Sequence, residues 1–251
     1  MNLKQILLVF LLTSFFSCQQ GKPHLSRIEG KKIEITDSLG IDRAIDSFIV
    51  PYRKHVNKDL DSVISYSIDT YTKNDGELNT AIGNLIADLT YELANPIFNS
   101  RTGKNIDMVM LNHGGIRAIL SKGDITKRTA YEIMPFENSL VVVQLKGKNI
   151  LGAVDYLVKA KRAHPICGLR IVVDNNYNLK EATLNGQRID TAKTYYAATN
   201  DYLYNGGDHM DFFKPNDTVY VLNYKVRSAI LDYFMKKDTI NPIADDRFIK
   251  M

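Results

Sequence analysis

Cysteine is scarce. The 251-residue chain has two, which excludes a disulfide-built scaffold. Proline and glycine are also sparse, at 7 and 15 residues, so neither a collagen-like nor a low-complexity disordered chain fits. A surplus of one charge is missing. Lys+Arg 32 against Asp+Glu 28 leaves a net charge of only +4, and no run of five like charges occurs. That is a poor basis for a nucleic-acid binder, and no nucleic-acid partner is expected. No apolar run approaches the roughly 20 residues that span a bilayer. Metal-ligand spacing is lacking too. His24, His55, His113, His164 and His209 are scattered, without the close pairs that metal sites use. What is left, 45% hydrophobic and 24% charged, is an ordinary globular composition.

The N-terminus has its own character. Residues 1–16 carry one charge, Lys4, ahead of an apolar run over 6–16. That is the length of a signal-peptide core. It ends Phe15-Phe16-Ser17-Cys18. A small residue followed by cysteine resembles a bacterial lipobox, although phenylalanine departs from its commonest form. Cleavage would then precede Cys18, and Cys18 would be lipidated. An ordinary signal peptide with an incidental cysteine is the alternative. The expected organisation is a signal peptide at 1–17, a tether at 18–26 and one folded domain over 27–251. The product would be exported and lipid-anchored, at the outer membrane of a Gram-negative bacterium and facing the periplasm. Cys167 is then left unpaired, which predicts a free, buried thiol. His164 is near in sequence, but Pro165 intervenes and no cysteine-hydrolase signature surrounds them.

Periodicity places the elements. Residues 27–36 alternate as a strand, and 41–60 have helical spacing (Ile45, Phe48, Ile49, Tyr52, Val56, Leu60) with a kink or break at Pro51. Residues 63–71 alternate again, and Asn74-Asp75-Gly76 is a turn. Ile82, Leu85, Ile86, Leu89 and Leu93 mark a helix closed by Asn95-Pro96. Strands are expected at 106–111, 139–145, 169–173 and 194–199, and helices around 150–158 and 226–234. Asn185-Gly186 reads as a two-residue hairpin turn between 179–184 and 187–189. Strands and helices mix without strict alternation, so the fold class is α+β, a single domain with a mixed β-sheet packed by helices.

Three loops carry chemistry. In Asn112-His113-Gly114-Gly115-Ile116-Arg117 the glycines permit an anion-binding nest, and Arg117 adds a planar cation suited to phosphate. A tight turn with a solvated arginine is the plainer reading. Pro135-Phe136 before a buried strand places Phe136 either at a pocket wall or in the core. The loop 200–208 runs from a strand through Tyr202 to Gly206-Gly207-Asp208. A flat ring that stacks a base, worth about 1–3 kcal/mol, and a carboxylate that accepts from ribose hydroxyls are what a nucleoside requires. A hairpin with exposed Tyr and Asp is the alternative.

Five motifs occur in order: Gly83-Asn84-Leu85-Ile86-Ala87-Asp88, Asn112-His113-Gly114-Gly115-Ile116-Arg117, Gly123-Asp124-Ile125-Thr126, Pro135-Phe136-Glu137-Asn138 and Asn205-Gly206-Gly207-Asp208. This succession resembles the C-terminal domain of the 5′-nucleotidase family, which includes UDP-sugar hydrolases and 2′,3′-cyclic-nucleotide phosphodiesterases. The resemblance implies a domain that binds the nucleoside. By position, Phe136 and Tyr202 would sandwich the base, Asp208 would hold the ribose, and Asn112 and Arg117 would reach toward the phosphate. Gly114, Gly115 and Gly207 would shape the loops. Family members usually have Phe where Tyr202 stands, and Gly or Ser where His113 stands. Many have a basic residue shortly before the Gly-Asn-Leu motif, whereas this stretch reads Asp75-Gly76-Glu77-Leu78.

Hydrolysis in that family belongs to a separate metallophosphoesterase domain with two metal ions. No Asp-x-His or Asn-His-Glu signature of it is found here. The leading expectation is therefore a substrate-recognising half that works with a separately encoded metallophosphoesterase chain. No catalytic or metal-binding residues are assigned to this chain, and divalent metal ions are expected in the partner. A non-catalytic nucleoside- or nucleotide-binding lipoprotein is the alternative. A hydrolase with a relocated site ranks last.

Overall fold

The computed structural model describes residues 24–251 apart from Asp37, Pro215 and Asp217. The signal peptide, Cys18 and most of the tether lie outside the described residues. The chain divides into two units, Met1–Phe48 and Ile49–Met251. In the first, residues 27–36 form no strand, contrary to their alternation. Ile28, Ile33 and Ile35 are exposed. A strand needs a neighbour to take its N–H and C=O groups, and no pairing involves this segment among the described residues.

Helix α1, Arg43–Leu60, contains Pro51 without ending there, and none of its residues is buried. Next come β1 (Val63–Ser67) and α2 (Ala81–Thr102), then β2 (Met108–Met110), β3 (Gly123–Thr126) and α3 (Lys127–Ile133). Strand β4 (Ser139–Lys146) and α4 (Gly147–Ala160) follow, then β5 (Ile166–Cys167), β6 (Leu169–Val173), β7 (Leu179–Leu184), β8 (Gln187–Arg188) and β9 (Thr194–Asn200). The chain closes with the one-turn α5 (Asp201–Tyr204), β10 (Thr218–Lys225), α6 (Val226–Lys236), β11 (Thr239–Ile240) and β12 (Phe248–Lys250). Asn185 and Gly186 both have positive φ, 50° and 74°, as a tight hairpin turn between β7 and β8 requires.

Helix α2 is longer than the sequence suggested. Thr80 caps it by accepting the Gly83 N–H at 3.2 Å. It ends at Gly103, where φ is 70°, a left-handed cap open to glycine. The expected closure at Pro96 does not occur. Proline removes a donor at a cost of about 3 kcal/mol. Against this, Ala94 and Phe98 on either side are fully buried. The Phe98 ring packs 5.4 Å from Tyr196 and 5.2 Å from Tyr220, centroid to centroid. Tertiary burial outweighs the local break.

Among the described residues three mixed sheets form, ordered β11-β1-β3, β10-β4-β9-β2-β5 and β12-β6-β7-β8. The five-stranded sheet lies between two cores. Leu140 and Val142 of β4 enter one core with Ile82, Leu89, Val226 and Ile230 of α2 and α6. Val141, Val143 and Leu145 enter the other with Ile150 and Val154 of α4 and Ile171 of β6. This double covering explains why β4 reads as a nearly continuous apolar run. The fold is α+β with mixed sheets packed by helices, as expected.

Strand direction positions the site. Strands β2 and β9 are parallel, with Met108 opposite Ala197 and Val109 opposite Ala198. Strands β4 and β9 are antiparallel, with Leu140 opposite Asn200. The ends of β2 and β9 and the start of β4 therefore share one sheet edge, where all three chemical loops emerge. Truncating Phe98 to alanine removes the ring that anchors α2 to this sheet. Urea unfolding of Phe98→Ala is expected to show a loss of about 3–5 kcal/mol; a loss below about 1 kcal/mol would place that ring outside the core.

Candidate functional site

The three loops enclose a cavity of about 360 Å³ lined by Asn112, Gly114, Gly115, Arg117, Met134, Phe136, Asn138, Asn200, Tyr202 and Asp208. The structure thus brings together every candidate residue of the three loops except Gly207, which lies just beneath the Tyr202 ring. A Cβ at Gly207 would sit 2.5 Å from carbons of that ring, so only glycine allows the approach.

Asn112 leaves β2 and is buried. Its Nδ2 donates to Asp208 Oδ2 at 2.7 Å. The following residues form one 3-10 turn, His113–Gly115, closed by the Gly115 N–H on the Asn112 carbonyl at 3.0 Å. Neither Gly114 nor Gly115 has positive φ. The loop is a turn of one hand, without the αR–αL pair that builds one form of nest. The glycines serve close approach instead: a Cβ on Gly115 would lie 2.9 Å from Asn112 Oδ1. Arg117 Nη1 reaches the Gly114 carbonyl at 3.4 Å. Its guanidinium carbon stands 5.9 Å from the Phe136 ring centroid, within cation–π range.

Phe136 is 41% exposed and Tyr202 is 47% exposed. That sets aside the core reading of Phe136, since a buried phenylalanine would expose almost nothing. The Phe136 loop is tied from behind, where Arg227 donates through Nη1 to the Pro135 carbonyl at 3.0 Å and pairs through Nη2 with Glu137. The 200–208 loop is no hairpin. Asn200 accepts the Leu203 N–H at 2.9 Å and caps the single turn of α5. The chain then passes Gly206 at φ 96°, and Asp208 and His209 adopt φ 52° and 59°. Such values are uncommon for non-glycine residues and cluster at functional sites. They are held by contacts. Asp208 Oδ1 accepts from the Tyr202 hydroxyl at 2.8 Å, and the Asp208 carbonyl accepts from the Tyr156 hydroxyl at 3.0 Å. The hydrogen bond to Asp208 raises the Tyr202 pKa above the ordinary tyrosine value and keeps the phenol a donor.

The sequence reading missed several neighbours. Lys73 precedes the acidic stretch that lacked a positive charge, yet its Nζ donates to the Ile116 carbonyl at 2.8 Å. Burial, then Arg117 and Arg162, push its pKa down, so cations gather at the glycine loop. Asn138 and Asn200 also line the cavity; Asn138 ends the Pro-Phe-Glu-Asn motif, where the spacing gave it no role. The Gly-Asn-Leu motif proves architectural. Asn84 Nδ2 donates to the Ile243 carbonyl at 3.0 Å, and Asp88 pairs with Arg247 at 2.8 Å. Together they hold the C-terminal segment. Cys167 is free, as expected, but half-buried and not fully buried; the burial it has pushes its thiol up to about 12, which leaves little thiolate for nucleophilic chemistry.

A cavity of this size, with exposed rings and convergent polar groups, has the dimensions and lining of a small-molecule site. Comparison names the family. Residues 59–215 match the 5′-nucleotidase, C-terminal domain, and the chain belongs to that family. Cell wall protein Lmo0130 of Listeria monocytogenes is 30% identical over 209 residues, covering 77% of this chain and 24% of that protein. The 5′-nucleotidase of Vibrio vulnificus is 25% identical over 236 residues, covering 88% of this chain and 39% of that protein. The crystal structure of a 5′-nucleotidase precursor from Thermus thermophilus shares the fold, with a TM-score of 0.69 at 24% identity, over 84% of this chain and 43% of that one. The chain spans less than half the length of each.

His164 sits behind the glycine loop, buried, with its Nδ1 accepting the His113 N–H at 3.2 Å. Burial is the main cause that lowers its pKa from 6.5 to about 4. The folded state therefore resists the proton that the unfolded state accepts. Stability is whole above about pH 6.5 and falls as pH drops toward about 4. Urea midpoints measured across that window should fall less steeply in His164→Gln than in the unaltered protein; parallel slopes would remove His164 from the acid sensitivity.

Proposed function

We propose that this chain is the nucleotide-recognising half of a 5′-nucleotidase-type phosphohydrolase in nucleotide catabolism. The observation that carries the reading is the meeting, in one cavity, of two exposed rings and a carboxylate fixed by an amide and a phenol. Phe136 and Tyr202 stack the base, and Asp208 accepts from the ribose. Asn112 and Arg117, with Lys73 behind them, set the phosphate end. The neighbourhood is cationic, which suits a phosphate.

The bond-breaking step is assigned to a separately encoded metallophosphoesterase chain. Among the described residues, no group of three His, Cys, Asp or Glu side chains is placed to hold a metal ion. His164 offers its Nδ1 to a backbone N–H instead. The residues present do not fit a di-metal centre, and no step through such a centre is derived for this chain. Lipidation at Cys18 would hold the protein at the membrane, exported and facing the periplasm. Two anchored chains would gain effective concentration for one another.

Two measurements test the reading. Asp208→Ala is expected to weaken adenosine or AMP binding by about 1–3 kcal/mol in calorimetry, because polar groups lose their partner; equal affinities would reject the ribose contact. Phosphate release from AMP with divalent metal should require the metallophosphoesterase chain. Release by this chain alone would overturn the division of labour. Binding of AMP without rescue by that partner would favour a module that captures nucleotides and does not cleave them.

A further inference from the structure

The Tyr202 hydroxyl has no part in stacking, yet it is engaged. It donates to Asp208 Oδ1 at 2.8 Å, while Asn112 Nδ2 donates to Oδ2 at 2.7 Å. An ionised carboxylate has about four lone-pair sites. Two are occupied, one on each oxygen, and one on each oxygen stays open. That is the acceptor pattern a vicinal diol needs, with one hydroxyl for each oxygen. The carboxylate is also prevented from turning. Its backbone is held by Tyr156, and its two oxygens are held by Asn112 and Tyr202. Gly207 lets the Tyr202 ring lie close enough for the bond to form.

We propose that Tyr202 is a positioning residue as well as a stacking one: its hydroxyl orients Asp208 so that the pocket selects a free 2′,3′-diol. This rests on the nucleoside reading above and adds to it the part played by one hydroxyl. A 2′,3′-dideoxynucleoside offers no donor to the open lone pairs. A 2′,3′-cyclic phosphate offers none either and brings negative charge onto the carboxylate. Phenylalanine in place of Tyr202 would keep the ring and lose the orientation.

The test compares adenosine, 2′,3′-dideoxyadenosine and 2′,3′-cyclic AMP by calorimetry on the full chain. The unaltered protein should prefer adenosine to both others by about tenfold or more, the worth of one to two hydrogen bonds. In Tyr202→Phe the adenosine-to-dideoxyadenosine affinity ratio should fall about fivefold. In an Asp208→Ala background the same substitution should leave the ratio where it is. Fitted stoichiometry reports the folded fraction, so partial misfolding does not enter the ratio. An unchanged or larger ratio in Tyr202→Phe overturns the inference while leaving the nucleoside reading intact. Failure of the unaltered protein to bind adenosine overturns the nucleoside reading itself, and this inference with it.

Discussion

The register of three central strands governs the rest. Strand β9 pairs parallel to β2 on one side and antiparallel to β4 on the other. Because of those two directions, the chain leaves β2 and β9 and enters β4 at the same edge. A slip of one residue would invert every side chain of β4, sending Val141 and Val143 to the core that now holds Leu140 and Val142. Both faces of the sheet are covered, so the slip is opposed from two sides. The site inherits this precision. Asn112, Phe136 and Asp208 are far apart in sequence and are brought to one cavity by strand pairing.

Polar contacts finish what the sheet begins. Asp208 sits in a backbone conformation that non-glycine residues rarely adopt, and it is held there by Tyr156, Asn112 and Tyr202. Cations accumulate at the glycine loop, and burial keeps His164 neutral behind it. The result is a cavity whose carboxylate is already oriented by its neighbours.

Local pattern was informative where one face or one motif decided the outcome. β6 and the β7–β8 hairpin matched their periodicity and turn residues, and β4 its apolar run. The pattern misled where the outcome lay elsewhere in the chain. The alternation of 27–36 could not supply a pairing partner. Pro96 could not reveal that Phe98 would be buried against Tyr196 and Tyr220. The short strands β3, β11 and β12 have no pattern of their own and exist because other strands pair with them.

The site divides in the same way. The sequence by itself determined the inventory, namely two aromatic residues, an amide, an arginine and a carboxylate within family motifs, because each is a local signature. It also determined the absence of a family metal signature. Only the tertiary structure decided that the glycines of the first loop allow close approach. Only it could place Lys73 beside the glycine loop, and tie the Tyr202 hydroxyl to Asp208. The physical reason is distance: hydrogen bonds and desolvation act over a few ångströms in space, and residues tens of positions apart become neighbours only when the sheet is formed.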